Sequence, residues 1–195
     1  MKKSLGAKAL VYPTPVFVVG TYDKDGNPNV MTCSWAGLCC SEPPCISISL
    51  RKATLTYGNI IRRPVFTISV PSQDFVKHTD YFGMVTGGGP YKFEVAKLTP
   101  AESKLVEAPY LKEFPMVLEC RVVHKFELGL HTQFVGEILD VKADEAVLDQ
   151  AGFADIKKVR PFVFTPDTLG YYGIGEYLGP AFSMGAALRQ PPPVI

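Results

Sequence analysis

The sequence predicts a mainly β protein with short helices, an antiparallel barrel or sandwich. Three observations carry this reading. Short apolar, β-branched runs recur through the first half, separated by turn signals roughly every 8–14 residues. One of them, Cys45 to Leu50, alternates strictly, with Ile46, Ile48 and Leu50 on one face and Cys45, Ser47 and Ser49 on the other. Gly and Pro number 17 each among 195 residues, a share that favours many turns over a helical bundle.

The elements follow in order. Thr14 to Gly20 is apolar and β-branched, and Asp23-Lys24-Asp25-Gly26-Asn27-Pro28 is a dense hairpin-turn signal. Asn29 to Trp35 resumes an extended pattern, Ser41-Glu42-Pro43-Pro44 turns again, and Cys45 to Leu50 and Val65 to Val70 are strands. Between the last two, Leu55, Tyr57 or Gly58, and Ile61 have helical spacing behind Thr54 as N-cap, and Pro64 ends the helix. The Thr99-Pro100-Ala101-Glu102 capping-box pattern predicts a second helix carrying Leu105 and Val106. Met116 to Phe126 and Gln133 to Val141 read as a long strand pair. Glu145 to Val159 holds one or two helical pieces, and Pro161 to Phe164 is a last strand. Gln190 to Pro193 can be neither helix nor central strand.

The length predicts one domain spanning 1–195, its core about 10–185. Lys and Arg total 20 and Asp and Glu 19, a net charge of +1. A duplex nucleic-acid binder driven by phosphate neutralisation carries a basic excess, so no nucleic-acid partner is expected. No apolar run reaches membrane-spanning length and no signal-peptide core appears, so no membrane association is expected and the location is read as cytoplasmic. Cys33, Cys39, Cys40 and Cys45 fall close together without a CxxC pair or a nearby His. They are read as buried or half-buried free thiols rather than metal ligands.

Chemistry concentrates at two places. In Ser49-Leu50-Arg51-Lys52-Ala53-Thr54-Leu55-Thr56, a strand ends in a serine, two cations follow and a capped helix begins. Helix-start N–H groups, an Arg fork and hydroxyl donors can cradle a phosphate. An ordinary capped helix with solvated cations fits the same residues. Met31-Thr32-Cys33-Ser34-Trp35 ends a strand with small polar residues beside the sole Trp. Its backbone can approach a planar heterocycle edge-on, although a plain strand with a buried Trp is the simpler reading. Thr86 to Lys92 is a glycine run without P-loop spacing, read as a flexible loop. His131 is read as a turn residue before a strand. Gly173-Ile174-Gly175 lacks the context of a dinucleotide fold.

Taken in order, DKDGNPNVMTCSW, SEPPCISISLRKATLTYGNI, VFTISVPSQDF, LECRVV, GLHTQFVGEI and YYGIGEYLGPAFSMG resemble the flavin reductase-like, FMN-binding split-barrel family, most closely its flavoredoxin branch. The resemblance implies a split β-barrel homodimer with FMN near the subunit interface. It implies that Met31, Thr32, Cys33, Ser34 and Trp35 lay their backbone along the flavin ring, Cys33 by backbone alone. The phosphate would be held around Ser49, Leu50, Arg51, Lys52, Thr54 and Thr56. Lys92 and His131 would border the flavin, and Tyr171 and Tyr172 would cover it. FMN would carry the electron chemistry, with no catalytic side chain and no metal. NAD(P)H or a redox partner protein would be the donor. A non-catalytic FMN-binding or electron-carrier protein is the alternative.

Overall fold

The computed structural model describes residues 1–87 and 89–188; Gly88 and the Pro-rich segment at Gln190 to Pro193 lie outside them. In chain order the elements are β1 (Thr14–Pro15), β2 (Phe17–Tyr22), β3 (Pro28–Cys33), β4 (Ala36–Ser41), β5 (Pro44–Arg51), α1 (Leu55–Arg62), β6 (Val65–Val70), α2 (Val76–Met84) and α3 (Gly89–Ala96). Then come β7 (Pro100–Glu102), β8 (Pro109–Leu111), β9 (Met116–Leu128), β10 (His131–Ala143), α4 (Ile156–Val159), β11 (Phe162–Thr165) and β12 (Gly170–Gly173).

A seven-stranded antiparallel sheet, in the order β3-β2-β6-β9-β10-β5-β4, organises the molecule. Its β2–β3 hairpin forms where Asp-Gly predicts it. The Asp23 carboxylate accepts the N–H groups of Asp25 and Asn27 at 2.9 and 2.8 Å, and Gly26 takes the left-handed φ of +83° that this turn requires. Alternation in β5 does what its pattern demands: Ile46, Ile48 and Leu50 enter a core with Val19, Phe66, Ile68 and Phe134. Strands β9 and β10 run 13 residues each; β9 from Val123 to Leu128 passes the end of β6, so this stretch and the start of β10 form an arm that β5 flanks on one side only. A smaller sheet, β1-β11-β12, brings residues near both ends of the chain together, and β7 pairs with β8.

Helix α1 begins as the sequence predicts: the Thr54 hydroxyl accepts the Tyr57 N–H at 3.2 Å, and Thr56, Asn59 and Ile60 face inward. Helices α2 and α3 cover the β3 edge, where Phe82, Phe93 and Ala96 join Val18, Val30, Leu111 and Phe114 in a second core. No helix of the described residues is long and apolar enough to cross a membrane.

Three expectations are corrected. The capping-box text at Thr99 starts no helix, because the Thr99 carbonyl accepts the Lys112 N–H at 3.0 Å and the Ser103 N–H donates to the Ala108 carbonyl at 3.2 Å, so the first intrahelical bond between them does not form; the Thr99 N–H goes to the Glu113 carboxylate. Pro100–Glu102 therefore enters a two-stranded hairpin, with Val106 folded inward from an irregular bend. The text from Thr86 to Lys92 is not all loop, since α3 begins at Gly89 and buries Lys92. Of the clustered cysteines, Cys33 and Cys45 are buried, but Cys39 and Cys40 are exposed on β4, the outer strand of the sheet.

Candidate functional site

A cleft of about 370 Å³ opens where the ends of β3, β5 and β10 meet the start of α1. Its volume lies within the usual range for small-molecule sites, about 300–1,000 Å³. Met31, Thr32, Cys33, Ser34 and Trp35 form one wall, and Ser49, Leu50, Arg51, Thr54 and His131 the other. Ten of the fifteen residues singled out from sequence are thus brought together. Gly83 from α2 and Phe164 from β11 complete the lining.

Strand pairing explains the assembly. Arg51, the last residue of β5, lies opposite His131, the first residue of β10. His131 therefore belongs to the strand rather than to the turn, which is Gly129-Leu130. The Ser49 N–H donates to the Trp35 carbonyl at 2.8 Å, tying the two walls at their base. Trp35 is not a core residue: it is 43% exposed, its ring parallel to that of His131 within 5° and centred 6.3 Å from it. The pair gives the cleft planar aromatic surface suited to a flat ligand.

An adjoining pocket of about 70 Å³ shares Met31, Thr54 and Gly83 with the cleft and adds Asn29, Thr56, Gly87 and Lys92. Lys92 is 2% exposed, and its ammonium donates to the Asn29 side-chain oxygen at 3.3 Å and the Val30 carbonyl at 3.0 Å. Both acceptors are neutral. Burial without a carboxylate lowers the Lys92 pKa to about 8. A buried cation met only by neutral dipoles is costly unless an anion completes its surroundings. Asn29 also donates to the Thr56 hydroxyl at 3.1 Å, so the lysine and the first turn of α1 are linked through one side chain.

Arg51 is exposed and forms no ion pair among the described residues. Beside it lies the positive end of the α1 dipole, with the Tyr57 N–H capped by the Thr54 hydroxyl. The cleft lining contains no carboxylate. Its thiol is inert: burial raises the Cys33 pKa to about 12, which keeps it protonated.

Three sequence-predicted residues stand apart: Lys52, Tyr171 and Tyr172, the last exposed and outside the lining. Lys52 points to the far side of the strand end and pairs with Glu127 at 2.7 Å. Tyr171 does not line the cleft; its hydroxyl donates to Asp80 at 2.9 Å and its ring packs against Phe164 from behind. Asn29, Gly83 and Phe164 escaped sequence reasoning. Phe164 ended a strand whose pairing partners were unknown, Gly83 lay in a helix without an amphipathic signal, and Asn29 read as the plain start of a strand.

The donor set and the planar walls have the chemistry to accept a flat, anionic ligand at the edge of an antiparallel sheet. The chain belongs to the flavin reductase like family, whose domain model matches residues 9–173. Among solved structures it is similar to the flavoredoxin of Desulfovibrio vulgaris (Miyazaki F), with 54% identity, 95% of this chain and 100% of that one covered, and a TM-score of 0.90. The flavoredoxin of Methanosarcina acetivorans matches at 32% identity over 97% of this chain and 100% of that one, also with a TM-score of 0.90. An uncharacterised protein of Aquifex aeolicus is 31% identical over 158 residues, 78% of this chain and 80% of the relative.

Proposed function

We propose that this protein is an FMN-binding flavoprotein oxidoreductase, of flavoredoxin or flavin reductase-like type, that passes electrons from a reduced nicotinamide or a protein donor through FMN to an acceptor. The observation that carries the reading is the juxtaposition of the Met31–Trp35 wall with two cations lacking carboxylates, Arg51 and Lys92. A planar ring with an anionic phosphate tail complements that pattern. The similarity to two flavoredoxins over nearly the whole chain supports the same reading.

In this assignment the backbone of Met31 to Trp35 lies along the ring edge, and Trp35, His131 and Phe164 bound its faces. Ser49, Arg51, Thr54 and the first N–H groups of α1 hold the phosphate, charge-assisted at Arg51. Lys92 supplies buried positive charge next to the ligand through the network of Asn29 and Thr56. Leu50 shapes the floor. When bound, FMN supplies hydride and one-electron chemistry of its own. The chain's part is to bind, orient and exclude water, which matches a lining without a carboxylate acid–base pair.

Assembly belongs to the same proposal. The tip of the β9–β10 arm exposes Phe126, Leu128 and Leu130, and Leu128 pairs with His131 at the cleft mouth. This apolar surface is continuous with the site and fits a homodimer that closes it. The location is proposed as cytoplasmic.

The test is direct. Purified protein, or protein titrated with FMN, should show flavin absorbance, and NADH or NADPH should bleach it anaerobically. Arg51→Ala should weaken FMN binding about 10- to 150-fold, the loss of roughly 1.5–3 kcal/mol for a charge-assisted bond. Riboflavin, which lacks the phosphate, should be affected far less. Equal weakening of both ligands would remove the phosphate assignment; binding without nicotinamide turnover would favour the electron-carrier alternative.

A further inference from the structure

Away from the cleft, three thiols gather at the turn end of the β4–β5 hairpin. The pairing of β4 with β5 shifts between Leu38 and Cys40: Leu38 lies opposite Ile46 and Cys40 opposite Cys45, leaving Cys39 as an extra residue. Such a bulge brings two neighbouring side chains onto one side of the strand against a single partner residue. The Cys40 thiol donates to the Glu42 carbonyl at 3.4 Å inside the turn, and the register sets it directly across from Cys45.

Accessibility is unequal. Cys39 and Cys40 are exposed, whereas Cys45 is 4% exposed and lies opposite Glu137 of β10. Burial first, then the neighbouring Cys40, Cys39 and Glu137, raises the Cys45 pKa. Residues facing each other across antiparallel strands have Cα atoms about 4.5–5.5 Å apart. Disulfides span Cα separations of about 4.4–6.8 Å. The Cys40–Cys45 register therefore allows closure without moving the strands.

We propose that Cys40 and Cys45 are a reactive dithiol that closes to an intramolecular disulfide by exchange with a small-molecule disulfide. The Cys40 thiolate attacks one sulfur of the oxidant, forming a mixed disulfide and releasing one thiolate. The Cys45 thiolate then attacks the Cys40 sulfur, breaking the mixed bond and releasing the second. Two protein thiols are oxidised, one disulfide is reduced to two thiols, and the two protons lost by the protein end on the released thiolates. Cys40 enters first because it is reachable; Cys45 resolves because it is held opposite.

The full chain, reduced and desalted, would be exposed to oxidised glutathione without oxygen. The protein should lose two titratable thiols and two hydrogens of mass, carry no glutathione, give a cross-linked peptide joining Cys40 to Cys45, and revert with dithiothreitol. Cys45→Ser should retain one glutathione on Cys40, and Cys39→Ser should react as the parent does. Since Cys45→Ser could fail to fold, peptide mapping of the unaltered chain decides independently. A stable glutathione adduct on the unaltered chain, a Cys39–Cys40 linkage, or no loss of thiols would each overturn the proposal.

Discussion

Lys92 concentrates the tension between stability and binding in one side chain. Its pKa is lowered from 10.5 to about 8 because the folded protein surrounds the ammonium with apolar groups and two neutral acceptors. Between pH about 8 and 10.5 the unfolded chain therefore holds a proton at this position that the native protein has released. Stability rises with pH wherever the unfolded state binds more protons. Ligand-free wild type should thus gain on Lys92→Met by about 3 kcal/mol as pH rises through that window. Urea midpoints of the two proteins at neutral and alkaline pH measure the difference directly. A pH-independent gap would mean that Lys92 is not desolvated. With FMN bound the slope should shrink, because an anion beside the ammonium restores its affinity for a proton.

Among the elements, β2 depends most on the absence of a side chain. A Cβ on Gly20 would lie 1.9 Å from the Pro109 carbonyl oxygen and 2.5 Å from the Thr67 hydroxyl, which itself donates to that carbonyl. Gly20→Ala should therefore push β8 off the β2–β6 surface and cost about 1–3 kcal/mol or more, as overpacking does. For a chain of this size each kcal/mol lowers Tm by roughly 2–4 °C, readable by thermal scan. An unchanged Tm would show that β8 yields freely. Elements with a local signal were legible in sequence: the Asp-Gly hairpin, the alternating β5, the Thr54 cap, the long β9–β10 pair and the short helix α4 before β11. Those set by tertiary contact were not. Strand β4 reads Ala-Gly-Leu-Cys-Cys-Ser, with neither alternation nor β-branching, and exists because β5 pairs with it. Helix α2 lacks a clear apolar stripe and is fixed by Thr79 and Phe82 inserting beneath it. The capping box at Thr99 lost its helix to strand pairing, which takes the Thr99 carbonyl and the Ser103 N–H. The site divides the same way: residues contiguous in sequence were found, and those delivered by α2 and β11 needed the fold.

At the scale of the whole molecule, the two ends of the seven-stranded sheet meet different fates. The β3 end is roofed by α2 and α3. Dimerisation is expected to use the other conspicuous surface, the β9–β10 arm. Light scattering at micromolar concentration should give about twice the chain mass of 21.4 kDa. Leu130→Glu, which places a charge on an exposed leucine at the arm tip, should shift that mass toward the monomer and weaken FMN retention with it. A monomer that still binds FMN tightly would separate the site from the arm. The remaining end, β4, carries Leu38 at 76% exposure and has no further strand beside it in the sheet. A bare strand edge with an apolar side chain is a template on which foreign chains can zip into fibrils. The extra residue at Cys39 spoils that template. It kinks the strand and breaks the even spacing of its outward N–H and C=O groups, so an incoming straight strand finds no continuous row to match. The same irregularity that crowds the thiols together therefore guards the chain's solubility.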